Sequence, residues 1–401
     1  MEVSGLRINN ERAVLTAIAT NPGHSAAEVA RVTGLGAQSV SRIVVELEAT
    51  GLVRRGEARR GQRGQPATPL YVDPNGVFVV GCEIGWRHYH ILIRNFTGQV
   101  LGEHRRDYAY PDVDVVIAEV GSLARLLVGL VPQEFRGRVI GMGLAMPSGI
   151  GRNIDLVGGS PEQAERWRTL DVVAAAEAAS GLKVFTFNDG NVACWAELAA
   201  LPPPRPANMA YFQVGTFVGA GLIAEGRLWE GPTGNSANLG SMLVNDRNGR
   251  EEFVHLIASL YALERRIAAA GLPVPTGNPQ HWPWEDLEPV VSQWLDDAAK
   301  ALATVIANTH AVVEFSVALL DGDMPRGVVE RLVKRVNEYS EALPILTSDR
   351  PRIEIGRLGG SAAARGAALK PIYRRYYSRD PKDFSFASER TEAVDPISQS
   401  A

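Results

Sequence analysis

The sequence predicts an α/β protein in which a small N-terminal winged helix-turn-helix precedes two α/β lobes set about a cleft. Three observations predict it. Residues 21–66 carry, in order, a helix cap, a glycine turn, a polar-faced helix and a basic glycine-rich loop. At Val77 the texture changes to short strands rich in Val and Ile. From there the order strand, strand, strand, helix, strand, helix is read twice, as a duplicated α/β unit would present itself.

The first helix of the motif starts at Ser25-Ala26-Ala27-Glu28, a capping box in which the Ser25 hydroxyl accepts from the Glu28 N–H and the Glu28 carboxylate reaches back. It runs to about Thr33 and stops at Gly34. The second begins near Gly36 or Ala37 and buries Val40, Ile43, Val44 and Leu47, spaced i, i+3, i+4, i+7. Its other face offers Gln38, Ser39, Ser41 and Arg42, small polar and guanidinium groups suited to base edges in a major groove. After Gly51, Leu52 and Val53 begin a strand, Arg54 to Gln65 form the loop, and Leu70 to Val72 form the return strand. Arg54, Arg55, Arg59, Arg60 and Arg63 stand against Glu57 alone, a positive wing for phosphates or a narrow minor groove. Arg60, Arg63, Gly64 and Gln65 therefore join the recognition helix as candidate DNA contacts. A helical hairpin with a solvated basic loop would not require cap, turn, polar face and wing in this order. Upstream, a helix over about Asn10 to Thr20 places Val14, Leu15 and Ile18 on one face, closing a three-helix core. The DNA-binding domain is taken as residues 1–73, and Asp73-Pro74-Asn75-Gly76 reads as a turn or linker.

The first lobe, residues 77–201, reads as strands VFVVGCEIG, HYHILIRNF and QVLGEHR, a helix from about Val113 to Val131, a strand VIGMGLAMP, a helix Val172 to Ala179, a strand LKVFTFN and a helix Val192 to Leu201. LPPPRPAN is a linker by composition. The second lobe, residues 208–358, repeats the order with MAYFQVG, VGAGLIAEG and RLWEG. Helical stretches follow near Glu251 to Ala270 and Glu285 to Asn308, then a strand VEFSVALLDG, a helix Pro325 to Tyr339 and a strand RIEIGR. A last helix over 361–377 is expected to join the first lobe, and residues 378–401 form a polar tail expected to be disordered.

The net charge of −4 over 401 residues hides an asymmetry. Residues 1–72 hold nine Arg and six Glu, or +3, so the remainder carries −7. Nucleic acid would meet the N-terminal piece only. Cys82 and Cys194 cannot build a disulfide framework, and MEVSGLRINNER has neither a basic n-region nor an apolar h-region. No apolar run reaches ~18 residues, so neither a transmembrane helix nor a membrane partner is expected. The expected location is the cytoplasm.

Ligands of open α/β sheets bind beyond the carboxyl ends of strands. Asn188-Asp189-Gly190-Asn191 and Pro147-Ser148-Gly149 occupy such positions, and the Gly-rich segments GTFVGAG and EGPTGNSANLG lie in the second lobe. Asp189 suits either a helix cap or a ligand contact, and the residues leave both open.

These segments carry a resemblance. A winged helix-turn-helix ahead of a two-lobed, actin-like fold of the sugar-kinase and Hsp70 type resembles the ROK family of repressors, open reading frames and kinases. The resemblance covers about Asn10 to Tyr377 and rests on RGQP in the wing, FNDGNVACWAE against the family's NDANAAALAE, the pair GTFVGAG and GPTGNSANLGSM, and the closing GGSAAARGAAL. It implies a kinase-base position at Asp189. It also implies candidate ligand contacts at Asn188, Asp189, Ser160, Gly234, Asn238 and Ser241. The chain departs from the family's kinases where their DxGGT phosphate loop becomes Glu83-Ile84-Gly85-Trp86-Arg87. Trp86 puts bulk where backbone must approach phosphate, which argues against ATP use and leaves no catalytic residue assigned. The family's GExGH, which supplies a sugar-binding Glu and a zinc-binding His, falls on Asn238 and Ser241, and no CxCGxxGC follows Met242. No metal and no cofactor are expected. His88 and His90 share a strand face but have no ligand partners at metal spacing.

The resemblance implies a DNA-binding transcriptional regulator, expected to repress, whose degenerate kinase domain senses a sugar or sugar phosphate. Its partners would be double-stranded operator DNA and that effector. A homodimer or homotetramer is expected, because one recognition helix buries too little DNA for a unique site. An active ATP-dependent sugar kinase fused to a DNA-binding domain is the alternative, and a DNA-bound scaffold with an empty cleft is a third.

Overall fold

The computed structural model describes residues 3–57, 68–344 and 349–378. Arg59, Arg60, Arg63, Gly64 and Gln65 of the expected wing lie outside the described residues, as does the expected tail beyond Ser378.

The chain opens with helices α1 (Val3–Thr20), α2 (Ala26–Thr33) and α3 (Ala37–Ala49), then the antiparallel pair β1 (Val53–Arg55) and β2 (Leu70–Val72). α2 starts on the expected capping box and ends at Gly34, whose φ of 68° only a glycine adopts without strain. α1 is about two turns longer than its apolar stripe predicts. Val14, Leu15, Ile18, Val29, Val40, Ile43, Val44 and Leu47 are buried together, each contributing roughly 1.5–3 kcal/mol of burial free energy. That core does not close on itself. It continues into Val79, Leu92 and Phe96 and into Ala364, Ala368 and Ile372. The Asp73–Gly76 segment is a tight turn in which Gly76 N–H bonds the Asp73 carbonyl at 3.0 Å. Arg138 holds it by donating to the Gly51 and Asn75 carbonyls at 3.4 and 3.0 Å.

Next come β3 (Phe78–Ile84), β4 (His88–Asn95), β5 (Val100–Asp107), α4 (Val113–Val128), β6 (Val139–Met146), α5 (Ile150–Asn153), α6 (Pro161–Thr169), α7 (Val172–Ser180), β7 (Val184–Asn188) and α8 (Asp189–Ala200). Then follow β8 (Met209–Val214), β9 (Val218–Ala224), β10 (Arg227–Leu228), β11 (Leu243–Asn245), β12 (Glu251–Phe253), α9 (Val254–Ala258), α10 (Leu260–Ala269), α11 (Val290–His310), β13 (Val317–Gly322), α12 (Arg326–Ala342), β14 (Arg352–Ile355) and α13 (Ala362–Tyr376). The two five-stranded sheets have the orders β5-β4-β3-β6-β7 and β10-β9-β8-β13-β14. In each, the first three strands pair antiparallel and the last two join in parallel, so the repeat read in sequence is a repeat of topology. α13 returns to pack on β3, β6 and α8.

Besides the short α5 and β11, which form where no element is expected, three elements differ from expectation. α6 forms where the sequence reading places no element, and Ser160-Pro161 gives it a side-chain cap and a proline in the first turn. Residues 251–253 are strand, not helix, because the Asp246 carboxylate accepts from Asn248 and Arg250 N–H and turns the chain into a hairpin. The long helix expected from Glu285 begins at Val290, after Pro289.

Candidate ligand cleft and DNA-reading face

Gln38, Ser39, Ser41 and Arg42 are exposed on α3, opposite its buried stripe. Arg55 is clamped at 2.7 and 2.9 Å by Glu48 of the same helix, and Arg54 lies 5.3 Å over the Tyr71 ring. The first fixes the root of the wing against the recognition helix, and the second ties β1 to β2. The described part of the motif therefore presents one polar helix face beside a rigid strand pair.

Between the lobes lies a cleft of about 420 Å³, within the range of small-molecule sites. Asn188, Asp189, Asn238 and Ser241 all line it. Asn188 makes the cap of α8, accepting from Asn191 N–H at 3.0 Å, and it also donates to Ser148 Oγ at 3.3 Å. Asp189 is thus relieved of capping. One of its oxygens accepts from Gly190 N–H at 2.8 Å, and burial followed by repulsion from Glu83 pushes its pKa up to about 6. Gly190 has no room for a side chain, since a Cβ there would overlap the Ala220 backbone of β9. That close approach brings Asp189 to the seam between the lobes.

Ser160 lies elsewhere. Its hydroxyl caps α6, accepting from Gln163 N–H at 3.2 Å, and it does not line the cleft. Gly234 is not a lining residue either, but its carbonyl accepts from Asn191 Nδ2 at 2.9 Å and sets the loop that carries Asn235 to Asn238. In that loop Ala237 holds φ 62°, a left-handed conformation that an L side chain rarely adopts, immediately before Asn238.

The floor joins Glu83 and His88, both already named from the sequence, to Asp323, which the sequence alone does not single out. Glu83 is buried with one oxygen unbonded, and His88 lies 3.7 Å from it and 3.9 Å from Asp323. Burial lowers the His88 pKa, but Glu83 and Asp323 outweigh it and leave it raised. Asp323 in turn receives Arg105 of the first lobe through two bonds, at 3.0 and 2.8 Å. Further ties cross the seam: Arg87 to Glu264 at 2.9 Å, and Ser148 to Asn235 at 2.7 Å. The partners lie from 87 to 218 residues apart, and neither partner's local pattern marks it.

The two hairpin turns that the repeat makes equivalent, β3–β4 and β8–β9, meet through their aromatic tips. Trp86 and Phe217 stand edge to face, with centroids 4.9 Å apart. Phe217 also contacts Tyr261 and His255. His255 is held neutral, its pKa lowered by burial to about 4, and its Nδ1 accepts from Val218 N–H at 3.1 Å. The two turns thus carry an indole ring, a phenyl ring and the Arg87–Glu264 ion pair beside the cleft.

A sequence model described as the ROK family matches residues 79–370, most of the chain, and a model described as the MarR family matches residues 4–64. The chain belongs to the ROK family. It is 24% identical over 243 residues to a xylose repressor of Caldicellulosiruptor bescii, spanning 59% of each chain. The solved structure of a ROK family transcriptional regulator, a homolog of the E. coli MLC protein, covers 94% of this chain and 98% of its own, with TM-score 0.65 and 18% identity. A ROK family glucokinase from Streptomyces griseus, solved with glucose and AMPPNP, covers 73% of this chain and 98% of its own at TM-score 0.55 and 18% identity. The likeness in fold to the regulator thus extends over the winged motif as well as the two lobes. Among the described residues no helix is long and apolar enough to cross a membrane.

Proposed function

We propose that this protein is a DNA-binding transcriptional repressor of the cytoplasm whose ROK domain senses a sugar, free or phosphorylated, without consuming ATP. In this reading residues 1–73 bind DNA, 77–201 with 361–377 form one lobe, and 208–358 form the other. The observation that carries it is an exposed polar helix on a winged motif joined to a polar cleft whose two hairpin turns carry Trp86 and Phe217 in contact. Asn188, Asp189 and Asn238 supply acceptors and donors to ring hydroxyls, and Asn235 and Ser148 join the two walls. The likeness to a xylose repressor supports both the DNA partner and the class of effector.

A ligand shifts DNA affinity only through its different affinity for two arrangements of the protein. Here the lobes meet at Asp189, and α13, packed on both the first lobe and α1, relays their relative position to the winged motif. The protein acts as a symmetric dimer or tetramer, because a single recognition helix specifies too few base pairs. Footprinting on genomic fragments captured by the full-length protein tests this. Two related half-sites separated by ~10 bp or a multiple are expected, and a single half-site filled by a monomer contradicts it.

The second reading is a sugar kinase with a DNA-binding domain. Asp189 favours it, since a carboxylate with a pKa of about 6 suits general-base work at neutral pH. The bulk of Trp86 and Phe217 at the two hairpin turns opposes it.

A further inference from the structure

The larger cavity of the molecule is not the cleft. About 680 Å³ of space lies where the winged motif meets the first lobe, walled by α1 and β1–β2 on one side and by β4, α8 and α13 on the other. Four arginines line it, Arg54, Arg94, Arg205 and Arg365, each from a different part of the chain. No Asp or Glu is among its described lining residues, and none of the four arginines makes an ion pair among the described residues. The protein itself occupies only part of their donor capacity. Arg205 gives Nε and one Nη to the last carbonyls of α8, at 3.1 and 3.3 Å. Arg365 gives Nε to Ser361 Oγ at 2.9 Å, and Arg94 gives Nε to the Asn95 carbonyl at 3.3 Å. Both Nη groups of Arg94 and Arg365 are left with no partner among the described residues.

Partly buried guanidinium groups facing one another across a cavity repel and lose hydration, a cost normally offset by a carboxylate. Burial, followed by the counteracting Tyr377 and Tyr373 and then the like charge of Arg365, lowers the Arg94 pKa, which places these two arginines within each other's field. Beside polar groups such as Thr16, Thr20 and Thr97, the wall also carries apolar and aromatic surface from Ile18, Leu92, Phe96 and Leu369. A free inorganic ion would leave that surface wet. An anion carrying an organic body would cover it.

We propose that this junction cavity is a second effector site, which binds a small phosphate ester through the Nη donors of Arg94 and Arg365 and thereby fixes the winged motif against the first lobe. Guanidinium forks match phosphate oxygens in bidentate geometry. The cleft is the opposite environment, with Glu83, Asp189 and Asp323 all facing it, and suits uncharged hydroxyls better than a phosphate. α8 links the two sites, since its first residue is Asp189 and its last turn, capped by Arg205, forms part of the cavity wall. The cavity is assigned independently of which sugar the cleft takes.

The test follows thermal unfolding of the full-length protein with three probes at constant ionic strength: inorganic phosphate, glucose 6-phosphate and glucose. Glucose 6-phosphate should raise the unfolding temperature saturably, more than inorganic phosphate does, and should still do so in Asp189→Ala. Arg94→Gln and Arg365→Gln should each weaken that effect roughly tenfold to a hundredfold, the loss expected for one charge-assisted hydrogen bond, while any response to an unphosphorylated sugar in the cleft persists. Equal responses to the two phosphates would assign the site to inorganic phosphate and overturn the ester. No phosphate-dependent shift, or a shift unchanged in both arginine variants, would overturn the site itself. A shift abolished by Asp189→Ala and retained in the arginine variants would move the phosphate to the cleft. If either Gln variant fails to fold, Arg94→Lys and Arg365→Lys, which keep charge but lose the fork, give the same readout.

Discussion

Asp189→Asn should stabilise the protein while abolishing its sugar response, because the charge that the cleft requires is held there at a cost. Asp189 sits half-buried with Glu83 close by, and its pKa is raised from the usual 3.8 to about 6. A rise of that size corresponds to ~3 kcal/mol, at about 1.36 kcal/mol for each tenfold change in proton affinity, and partial exposure of the group reduces this to about 1–2 kcal/mol. Between about pH 4 and 6 the folded chain binds more protons than the unfolded one, so stability falls as pH rises through that window and the full cost stands above about pH 6. The amide carries no charge, and its oxygen can still accept from Gly190 N–H. Urea unfolding of wild type and Asp189→Asn at about pH 7.5 and about pH 4.5 provides the assay. The variant should be more stable by about 1–2 kcal/mol at the higher pH, and most of the difference should vanish at the lower, where wild-type Asp189 is itself protonated. A variant that is destabilised at the higher pH, or whose difference is the same at both, would refute the reasoning.

Three further outcomes follow from the same structure. Glu230 opens the loop that reaches Asn235 and Asn238, and it holds Lys370 at 3.2 Å and Arg374 at 3.1 Å on α13. Glu230→Gln should cost about 1–3 kcal/mol, less than a deeply buried pair because Glu230 is partly exposed. It should also reduce the effect of sugar on operator affinity, both readable from urea midpoints and ligand-dependent DNA titrations. Arg42→Ala should lose on the order of 1–3 kcal/mol of operator binding and relax sequence preference in gel-shift competition, with stability changed by no more than ~0.5 kcal/mol. Gly366→Ala should destabilise by about 1–3 kcal/mol in the same urea assay, since its Cβ would overlap the Val192 carbonyl where α13 crosses α8.

Local chemistry makes much of this legible. The Ser25–Glu28 box, the Gly34 stop and the α3 stripe act within a few residues, so their readings match the structure closely. The duplicated order of strands is visible because each unit repeats the same turn chemistry. Partnerships over long separations are not. Arg105 carries no mark of Asp323, and the Trp86–Phe217 contact joins turns that only the closed pair of lobes brings together. Ser160 shows a different limit, for the Ser-Pro signal before α6 is local and present in the sequence, and its hydroxyl serves the helix rather than the cleft. Asp189 is ambiguous between cap and contact because both uses fit the residue. Asn188, one position earlier, takes the cap. The junction cavity has no signature in the sequence, because its arginines are scattered through the chain and converge only when α1, β4, α8 and α13 pack.

The central claim is that the cleft reads a sugar and reports it to DNA without chemistry. It is tested most directly by titrating operator affinity of the full-length protein with a panel of pentoses, hexoses and their phosphates, with ATP consumption followed on the same panel. One sugar should change operator affinity by ~5- to 150-fold, corresponding to about 1–3 kcal/mol of coupling. DNA should change the affinity for that sugar by the same factor. No ATP should be consumed, and Asp189→Ala should lose the response while keeping sugar-free DNA binding. Sugar-dependent ATP turnover, or a response that survives in Asp189→Ala, would contradict the account.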